Sequence, residues 1–315
     1  MRYSCLHTHC SYCDGSGSVD DFCEAAVNKG FAAIGFSSHA PLAVINTNWH
    51  MKKEVFVNYV DDVCAAAKKY NGKLKVFLGL EADFVRFYNA ADEQGIYKTS
   101  PVMAAPNEWS DHPFVNFDYI IGSAHYITND TCADSPEALF EKMLHDTFNN
   151  DIWAVIDAYY SNIELMIKNG GFDILGHIDL IKKNNNPRRN GEAADSGGLV
   201  RMSSGKYFCE QDEKYKKYLL RIANLLGDTK IVVEVNTGGM VRGYTDSPYP
   251  GKDFLVMLKK NDVAVTINAD AHKCEHLGSQ YETARNLLLE AGYTKLAFFE
   301  GRDQNKNAVW SKDDL

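Results

Sequence analysis

The sequence predicts an α/β protein whose core is a (β/α)7-type barrel. Seven short apolar runs alternate with helical patterns along most of the chain, which is typical of parallel βα units. The chain has 315 residues, of which 45% are hydrophobic and 24% charged, and this composition allows a large buried core. Because barrels of this length are commonly single domains, we expect one domain over residues 1–315.

The predicted elements follow one another in a regular order. Strands are expected at residues 3–7, 32–37, 75–80, 119–123, 172–175, 231–235 and 263–267. Helices are expected at 18–29, 53–70, 137 to about 168, 213–226, 252–260 and 280–291. Ser18 followed by Asp21, and Ser135 followed by Pro136 and Glu137, are typical of helix N-termini.

Two stretches, at 84–116 and 182–207, depart from this alternation. Each lies just after a strand that ends in a polar residue, so we expect loop insertions that lie above one rim of the barrel. The tail contains a short apolar run at 296–299, and we expect it to pack against the outside of the barrel.

Charge and hydropathy exclude several classes of partner. The net charge of −9 and the pI near 5.6 argue against a nucleic-acid-binding protein, because phosphate backbones are held by clustered Lys and Arg. A small phosphorylated substrate is still possible, since metal ions can supply positive charge locally. No apolar stretch approaches the roughly 20 residues that span a bilayer. A strand expected at the very start of the sequence leaves no place for a signal peptide, and eight scattered cysteines indicate reduced thiols. We therefore expect a cytoplasmic protein without a membrane partner; the sequence does not predict its oligomeric state.

Polar side chains that bind metals follow most of the apolar runs. His7 and His9 share one face if the strand continues, because strand side chains alternate with period two. Glu81 follows the apolar run 76–80, where a buried carboxylate is costly unless it is paired or binds a metal. Asp270 and His272 repeat the pattern after the last strand. The alternatives are strand-end histidines bonded to the backbone, and an arginine partner for the glutamate.

Because the carboxyl ends of the strands of a barrel meet at one rim, we expect these side chains to converge on a multi-metal centre. The candidate metal ligands are His7, His9, Asp14, His39, Glu81, His125, His177, Asp270 and His272. Four histidines do not end an apolar run and are left out of this set: His50, His112, His145 and His276. Cys10 and Cys13 have no second cysteine pair with which to complete a zinc site and are interpreted as incidental.

Taken in order, these motifs resemble those of the PHP (polymerase and histidinol phosphatase) superfamily over most of the chain. The resemblance rests on His7-Thr8-His9 with Asp14-Gly15, His39, Glu81, Gly122-Ser123-Ala124-His125, Gly176-His177 and Asp270-Ala271-His272. Two further segments resemble its histidinol-phosphatase branch, namely His39-Ala40-Pro41-Leu42 and Asn236-Thr237-Gly238-Gly239.

The resemblance implies a distorted (β/α)7 barrel of the PHP type with two or three divalent metal ions (zinc, iron or manganese) at the C-terminal rim. One ion would take His7, His9, Glu81 and Asp270; a second would share Glu81 and add His125 and His177; a third would take Asp14, His39 and His272. Many members of this branch have His at the position of Asp14 and Ser at that of Asn268. The first exchange replaces a nitrogen ligand by an oxygen ligand and leaves the identity of the third metal open.

The resemblance also implies an activity. We expect a phosphatase that hydrolyses L-histidinol phosphate to L-histidinol and phosphate in histidine biosynthesis, by attack of a metal-bound hydroxide. Glu81, Asp270 and His272 are the candidate catalytic residues. The candidate phosphate contacts are Arg242, Lys182 and Arg201, each of which is alternatively a solvated surface charge.

Other functions fit parts of the same pattern. The nearest alternative is a PHP phosphoesterase that acts on another small phosphate ester or on a nucleotide, or an exonuclease that cleaves phosphodiesters. A metal-binding module without turnover is a further alternative. An amidohydrolase would use a bridging lysine on a strand, and no proposed strand end supplies one.

Overall fold

The computed structural model describes residues 2–41, 47–85, 116–128, 130–186 and 205–315. Within them, seven strands form one parallel sheet in the order in which they occur along the chain. They are β1 (Ser4–Cys5), β2 (Ala33–Phe36), β3 (Lys75–Asp83), β4 (Tyr119–Ser123), β5 (Ile174–Leu175), β6 (Val232–Asn236) and β7 (Val265–Asn268).

The sheet closes between its first and last strands. A parallel bridge pairs Thr8, just after β1, with Ala271, just after β7. The backbone N–H of His9 donates to the carbonyl of Ala271 at 2.9 Å, and that of Ala271 donates to the carbonyl of His7 at 3.1 Å. The predicted (β/α)7 barrel is confirmed, and each predicted strand overlaps an observed one. The closure also brings the first and last groups of candidate ligands side by side.

Helices connect most of the strands, as parallel pairing requires. In the described part of the chain they are α1 (Val19–Asn28), α2 (Phe56–Lys69), α3 (Glu137–Asp146), α4 (Ile152–Asn169), α5 (Glu213–Gly227), α6 (Gly238–Val241), α7 (Lys252–Lys260) and α8 (Tyr281–Glu290). At the start of α1, the Ser18 hydroxyl accepts from Asp21 N–H and the Asp21 carboxylate accepts from Ser18 N–H, which is a complete capping box.

The prediction of a single helix from 137 to about 168 is wrong, because two helices occupy this segment. Asn149 and Asn150 have φ values of 51° and 62°, in the left-handed region that ends a right-handed helix. Asp151 then begins α4, since its side chain accepts from the N–H groups of Trp153 and Ala154. The Asn-Asn-Asp sequence therefore stops one helix and starts the next.

The tail forms an antiparallel hairpin of β8 (Lys295–Arg302) and β9 (Ala308–Asp314). Phe299 lies 4.9 Å from the ring of Phe77 and 5.7 Å from that of Tyr119. Tyr119 donates to the carbonyl of Leu6 at 2.5 Å, and this bond joins β4 to the end of β1 across the barrel interior. The expectation that the tail packs on the outside is wrong: its phenylalanines contact the apolar side chains that fill the barrel.

The hairpin and the candidate ligands lie towards opposite ends of the strands. On β3, Phe77 contacts the hairpin, whereas Glu81 lies four residues further along, where β3 pairs with β4. The two expected insertions fall largely outside the described residues, which omit 86–115 and 187–204. At the described edge of the second insertion, Leu180–Asn185 form a 3₁₀ helix. In the part of the chain that the structure describes, no helix has the length and apolar character needed to cross a membrane.

Candidate metal centre

Glu81 lies at the centre of a group of imidazoles. It is carried near the carboxyl end of β3 and is 1% exposed. The Ser123 hydroxyl on β4 donates to its Oε1 at 2.6 Å. Imidazole nitrogens from the ends of β1, β2, β4 and β5 surround the two carboxylate oxygens: His7 Nε2 at 3.2 Å, His9 Nε2 at 3.4 Å, His39 Nδ1 at 2.9 Å, His125 Nε2 at 3.6 Å and His177 Nε2 at 2.9 Å.

Asp270 brings a second carboxylate to the same point from the end of β7. Its Oδ1 lies 3.3 Å from His9 Nε2, 3.7 Å from His7 Nε2 and 3.5 Å from His272 Nδ1. Its φ of 48° is in the left-handed region, which is uncommon for an aspartate and costs conformational energy. Arg242 holds this conformation, since Nη1 donates to the Asp270 carbonyl at 3.0 Å and Nη2 to Oδ2 at 2.7 Å.

Asp14 lies at the outer edge of the centre. Its Oδ2 is 3.3 Å from His272 Nε2, and its Oδ1 is 3.7 Å from His9 Nδ1 and 3.8 Å from His39 Nε2. The side chains of Asp14 and His272 are 32% and 23% exposed, whereas His9 is fully buried. This part of the centre is therefore the one that solvent reaches most easily.

All nine predicted ligands are thus brought together at one end of the barrel. Three groups of them have ligand atoms within 4.8 Å of one another: His9 with Asp14, His39 and His272; His7 with Glu81 and His177; and His7 with His9 and Asp270. His125 belongs to none of these groups, but its Nε2 lies against the Oε1 of Glu81.

Unpartnered buried atoms test whether these residues fit a metal. In the described part of the chain, seven buried side-chain polar atoms make no hydrogen bond of good geometry. Four of them belong to this centre, where three imidazole nitrogens approach one carboxylate oxygen at 2.9 to 3.4 Å. They are His7 Nε2, His9 Nε2, His39 Nδ1 and Glu81 Oε2. Buried polar atoms are costly unless they are hydrogen-bonded or bind a cation. The donor set of imidazole nitrogens and carboxylate oxygens fits divalent zinc, iron or manganese.

The carboxylates and imidazoles of the centre shift one another's pKa values. Burial raises the pKa of Glu81, but His39 and His7 outweigh it and hold that pKa well below its usual range. Burial also raises the pKa of Asp270, while Arg242 and His7 lower it further than burial raises it. Burial, with the neighbouring His272 and His39, lowers the pKa of His9 to about 3. Both carboxylates are therefore ionised, which is the form that binds metals. Burial lowers the pKa values of His7 and His125, but Glu234 raises that of His7 well above its usual range and Asp83 raises that of His125 to about 10, so a metal that binds these imidazoles displaces protons.

Sequence reasoning missed Glu234, which supports two of the ligands. This fully buried carboxylate on β6 lies 2.9 Å from His7 Nδ1 and accepts from His177 N–H at 2.7 Å. The amides of Asn236 and Asn268 also donate to it, at 2.8 and 3.0 Å. A carboxylate bonded to the second nitrogen of a ligating histidine fixes the tautomer and the ring orientation. The rule that singled out Glu81, an acid within an apolar strand, also singles out Glu234.

Asp83 supports His125 in the same way and was also missed. Its Oδ1 lies 2.6 Å from His125 Nδ1 and its Oδ2 lies 2.8 Å from His50 Nε2. His50, which was left out of the ligand set, therefore contacts the carboxylate that orients a ligand. The signal in the sequence was the spacing, because Asp83 follows Glu81 by two residues and so shares its face of β3.

The centre opens into a cleft of about 390 Å³. Arg242 lines this cleft, as expected of a phosphate contact. Lys182 does not line the cleft, and the prediction that it contacts the phosphate is wrong. Its side chain is 5% exposed, and its ammonium lies 3.0 Å from Asp179 and 3.3 Å from Glu210. The neighbouring Lys183 lines the cleft instead. Arg201 lies outside the described residues.

The other residues that were left out of the ligand set have different surroundings. The side chain of His145 is 73% exposed on α3, and His112 lies outside the described residues. The thiol of Cys13 lies 3.5 Å from His9 Nδ1, so this cysteine touches a candidate ligand.

The fold and the site define an α/β-barrel protein with clusters of His, Asp and Glu at one rim that could bind metal ions. A family model described as "PHP domain" matches residues 6–238. The chain therefore belongs to the PHP domain family, and the resemblance seen in the sequence is confirmed.

Known proteins similar to this chain share its length. A probable histidinol-phosphatase of Deinococcus radiodurans is 24% identical over 294 residues, which are 93% of this chain and 95% of that protein. The histidinol-phosphatase of Bacillus subtilis is 23% identical over 287 residues, 88% of this chain and 96% of that protein. The crystal structure of histidinol phosphate phosphatase from Lactococcus lactis, complexed with zinc, L-histidinol and phosphate, aligns with a TM-score of 0.67 at 17% identity. It covers 95% of this chain and 97% of that one, and the likeness establishes the fold.

Proposed function

We propose that this protein is a metal-dependent phosphatase that hydrolyses L-histidinol phosphate to L-histidinol and phosphate. The observation that carries the proposal is the convergence of five imidazole nitrogens on the two oxygens of buried Glu81. Three of these nitrogens and one of the oxygens make no hydrogen bond of good geometry. The substrate is supported by the relatives named histidinol-phosphatase that align with nearly the whole chain. We place the reaction in histidine biosynthesis and the protein in the cytoplasm.

We propose that two or three divalent ions, zinc, iron or manganese, are held by the nine candidate ligands. The first set is His7, His9, Glu81 and Asp270; the second is Glu81, His125 and His177; the third is Asp14, His39 and His272. Such ions supply Lewis-acid activation of water and neutralise charge on the phosphoryl group. Asp14 and His272 are partly exposed, so we expect the ion of the third set to exchange more readily than the ions of the buried sets.

The chain's own residues bind and orient the phosphate ester. Arg242 fixes Asp270 through Oδ2, and a guanidinium has five N–H donors, so the same side chain can also donate to a phosphate in the cleft. Lys183 also lines the cleft, and its ammonium lies 3.2 Å from the carboxylate of Asp134. Glu81, Asp270 and His272 are the proposed catalytic residues, because all three line the cleft.

Turnover of a panel of phosphate esters tests the proposal. The purified protein, supplied with manganese, zinc or iron, is assayed with L-histidinol phosphate, sugar phosphates, nucleoside monophosphates and a phosphodiester. We expect the highest kcat/KM for L-histidinol phosphate. A higher kcat/KM for a nucleotide or a diester would favour those alternatives, and bound metal without hydrolysis of any ester would favour a binding module.

Two substitutions test the site itself. His125→Ala and Asp270→Asn should lower both metal content and phosphatase activity, because each removes a ligand that other side chains cannot replace. His145→Ala changes an exposed histidine on α3 and serves as the control. Full activity with unchanged metal content in either variant would remove the assigned ligands from the proposal.

A further inference from the structure

The cleft contains a charged pair that the proposed metal centre does not use. Asp134 and Lys183 both line the cleft. The ammonium of Lys183 lies 3.2 Å from Asp134 Oδ2 and donates to the Asp134 backbone carbonyl at 2.7 Å. Three other carboxylates line the described part of the cleft, and all three are candidate metal ligands: Asp14, Glu81 and Asp270. Asp134 is therefore the one carboxylate in the described lining of the cleft that is not a candidate metal ligand.

The backbone around Asp134 is held firmly against the metal centre. The N–H of Ala133 donates to the carbonyl of the candidate ligand His125 at 2.7 Å. The amide of Asn184, which is 2% exposed, donates to the carbonyls of Ala133 and Ser135 at 3.1 Å each. Both neighbours of Asp134 are thus tied down by one buried side chain. A polar group positioned in advance binds a ligand at a lower ordering cost.

The charge of Asp134 suits a cationic group. Burial raises the pKa of Asp134, but Lys183 and His125 lower it by more, so the carboxylate is ionised at neutral pH. Lys183 contacts Oδ2 alone of the two carboxylate oxygens, and a carboxylate offers about four acceptor positions, so Asp134 can accept further donors. Its side chain is 34% exposed, which leaves it accessible to a molecule in the cleft.

We propose that Asp134 is a specificity-determining residue that binds the ammonium group of the substrate. The inference rests on the proposed function, because L-histidinol phosphate carries a protonated amine on the carbon next to its phosphate-bearing carbon. The phosphate would lie at the metal centre beside Arg242, and the ammonium would lie beside Asp134. Lys183 keeps the carboxylate in place by donating both to the backbone carbonyl and to Oδ2 of Asp134. The cleft selects small phosphate monoesters that carry an amine close to the ester oxygen.

The test compares two substrates in one variant. Asp134→Asn keeps the size of the side chain and removes its charge. Its kcat/KM is measured with L-histidinol phosphate and with the analogue in which hydrogen replaces the amino group. We expect kcat/KM for L-histidinol phosphate to fall on the order of 10- to 100-fold, as the loss of a hydrogen bond between charged groups predicts, and kcat/KM for the analogue to be unchanged. Asp146→Asn, which removes an exposed carboxylate on α3, is the control and should alter neither value.

Failure of the proposed function and failure of the role of Asp134 give different results. A wild-type protein that does not hydrolyse L-histidinol phosphate contradicts the proposed function. A wild-type protein that hydrolyses it, with a variant that loses both substrates equally or neither, overturns the role of Asp134 alone. Metal content of the variant is measured alongside, and an unchanged value is expected because Asp134 is not a ligand.

Discussion

A carboxylate as deeply buried as Glu81 is stable only where cations or strong donors surround it. Here the surrounding groups are imidazoles from four strand ends. The orientation of each imidazole ring depends on the group that its second nitrogen contacts. Glu234 orients His7, and Asp83 orients His125. The geometry of the centre is therefore set by two further buried carboxylates as well as by the ligands.

Glu234→Gln should weaken metal binding while leaving the ligands in place. Glu234 accepts four hydrogen bonds, from His7, the backbone of His177, Asn236 and Asn268. A glutamine amide has an NH₂ group in place of one carboxylate oxygen. This group would face the donors that now bond to that oxygen, and their hydrogen bonds would be lost. We expect metal affinity or activity to fall about 10- to 100-fold, the usual effect of removing the partner of a ligating histidine.

The measurement is a chelator competition for the bound metal, with activity followed as metal is added back. Activity should recover in part at high metal concentration, because the ligands remain. The control is Glu24→Gln, an exposed glutamate on α1. Unchanged metal affinity in Glu234→Gln would show that this carboxylate does not position the ligands.

The nine candidate ligands could be found from the sequence because most of them lie at or just after the end of an apolar run, and parallel strands bring their carboxyl ends to one rim. The phosphate contacts could not be found in the same way. Lys182 and Lys183 are adjacent in a 3₁₀ helix, where neighbouring side chains point about 120° apart. The sequence does not indicate which side of such a turn faces the cleft. Only the structure shows that Lys183 reaches the cleft and that Lys182 pairs with Asp179.

At the scale of elements, strand positions were predictable because buried parallel strands have a continuous apolar character. The boundaries of β4 and of α7 agree with the prediction to the residue. The division between α3 and α4 was missed because apolar residues continue on both sides of it. Local side-chain chemistry, two asparagines in the left-handed region and an aspartate cap, outweighs the helical pattern there.

Asp151→Ala should destabilise the fold by removing the cap of α4. The carboxylate accepts from the N–H groups of Trp153 and Ala154, at 2.9 and 3.3 Å, and alanine leaves both without this partner. We expect the free energy of unfolding, measured with urea, to fall by about 1 kcal/mol. Glu24→Ala, on the exposed face of α1, should stay within about 0.5 kcal/mol of wild type. Equal stability of the two variants would mean that the cap does not stabilise α4.

At the scale of the whole molecule, the barrel is apolar at one end and polar at the other. The hairpin of β8 and β9 packs its phenylalanines on the interior near Phe77 and Tyr119, away from the ligands. Close packing leaves no room for side chains at Gly35 and Gly79, where a Cβ would meet the ring of Tyr119. The sequence showed the apolar run 296–299 but not its partners, because contacts so distant along the chain depend on how the barrel closes.

Ion pairs at the hairpin join the two ends of the chain and should make stability depend on pH. Glu300 on β8 accepts from Arg2 at 2.8 Å, from Lys75 on β3 at 2.5 Å and from Ser311 on β9 at 2.7 Å. Burial alone would raise the pKa of Glu300, but the hydrogen bonds from Lys75, Ser311 and Arg2 lower it from 4.5 to about 2. A carboxyl group whose pKa is lower in the folded state stabilises the fold when it is ionised.

The contribution of Glu300 is therefore complete above its unfolded pKa of 4.5 and is lost as the pH falls towards about 2. Glu300→Gln should be less stable than wild type at about pH 6, and the difference between their free energies of unfolding should shrink as the pH is lowered to about 3. Urea unfolding at a series of pH values measures this difference, in which the acid sensitivity of the metal centre cancels because both proteins keep the ligands. Glu24→Gln is the control. A difference that stays constant across the range would mean that the ion pairs of Glu300 do not tie the hairpin to the barrel.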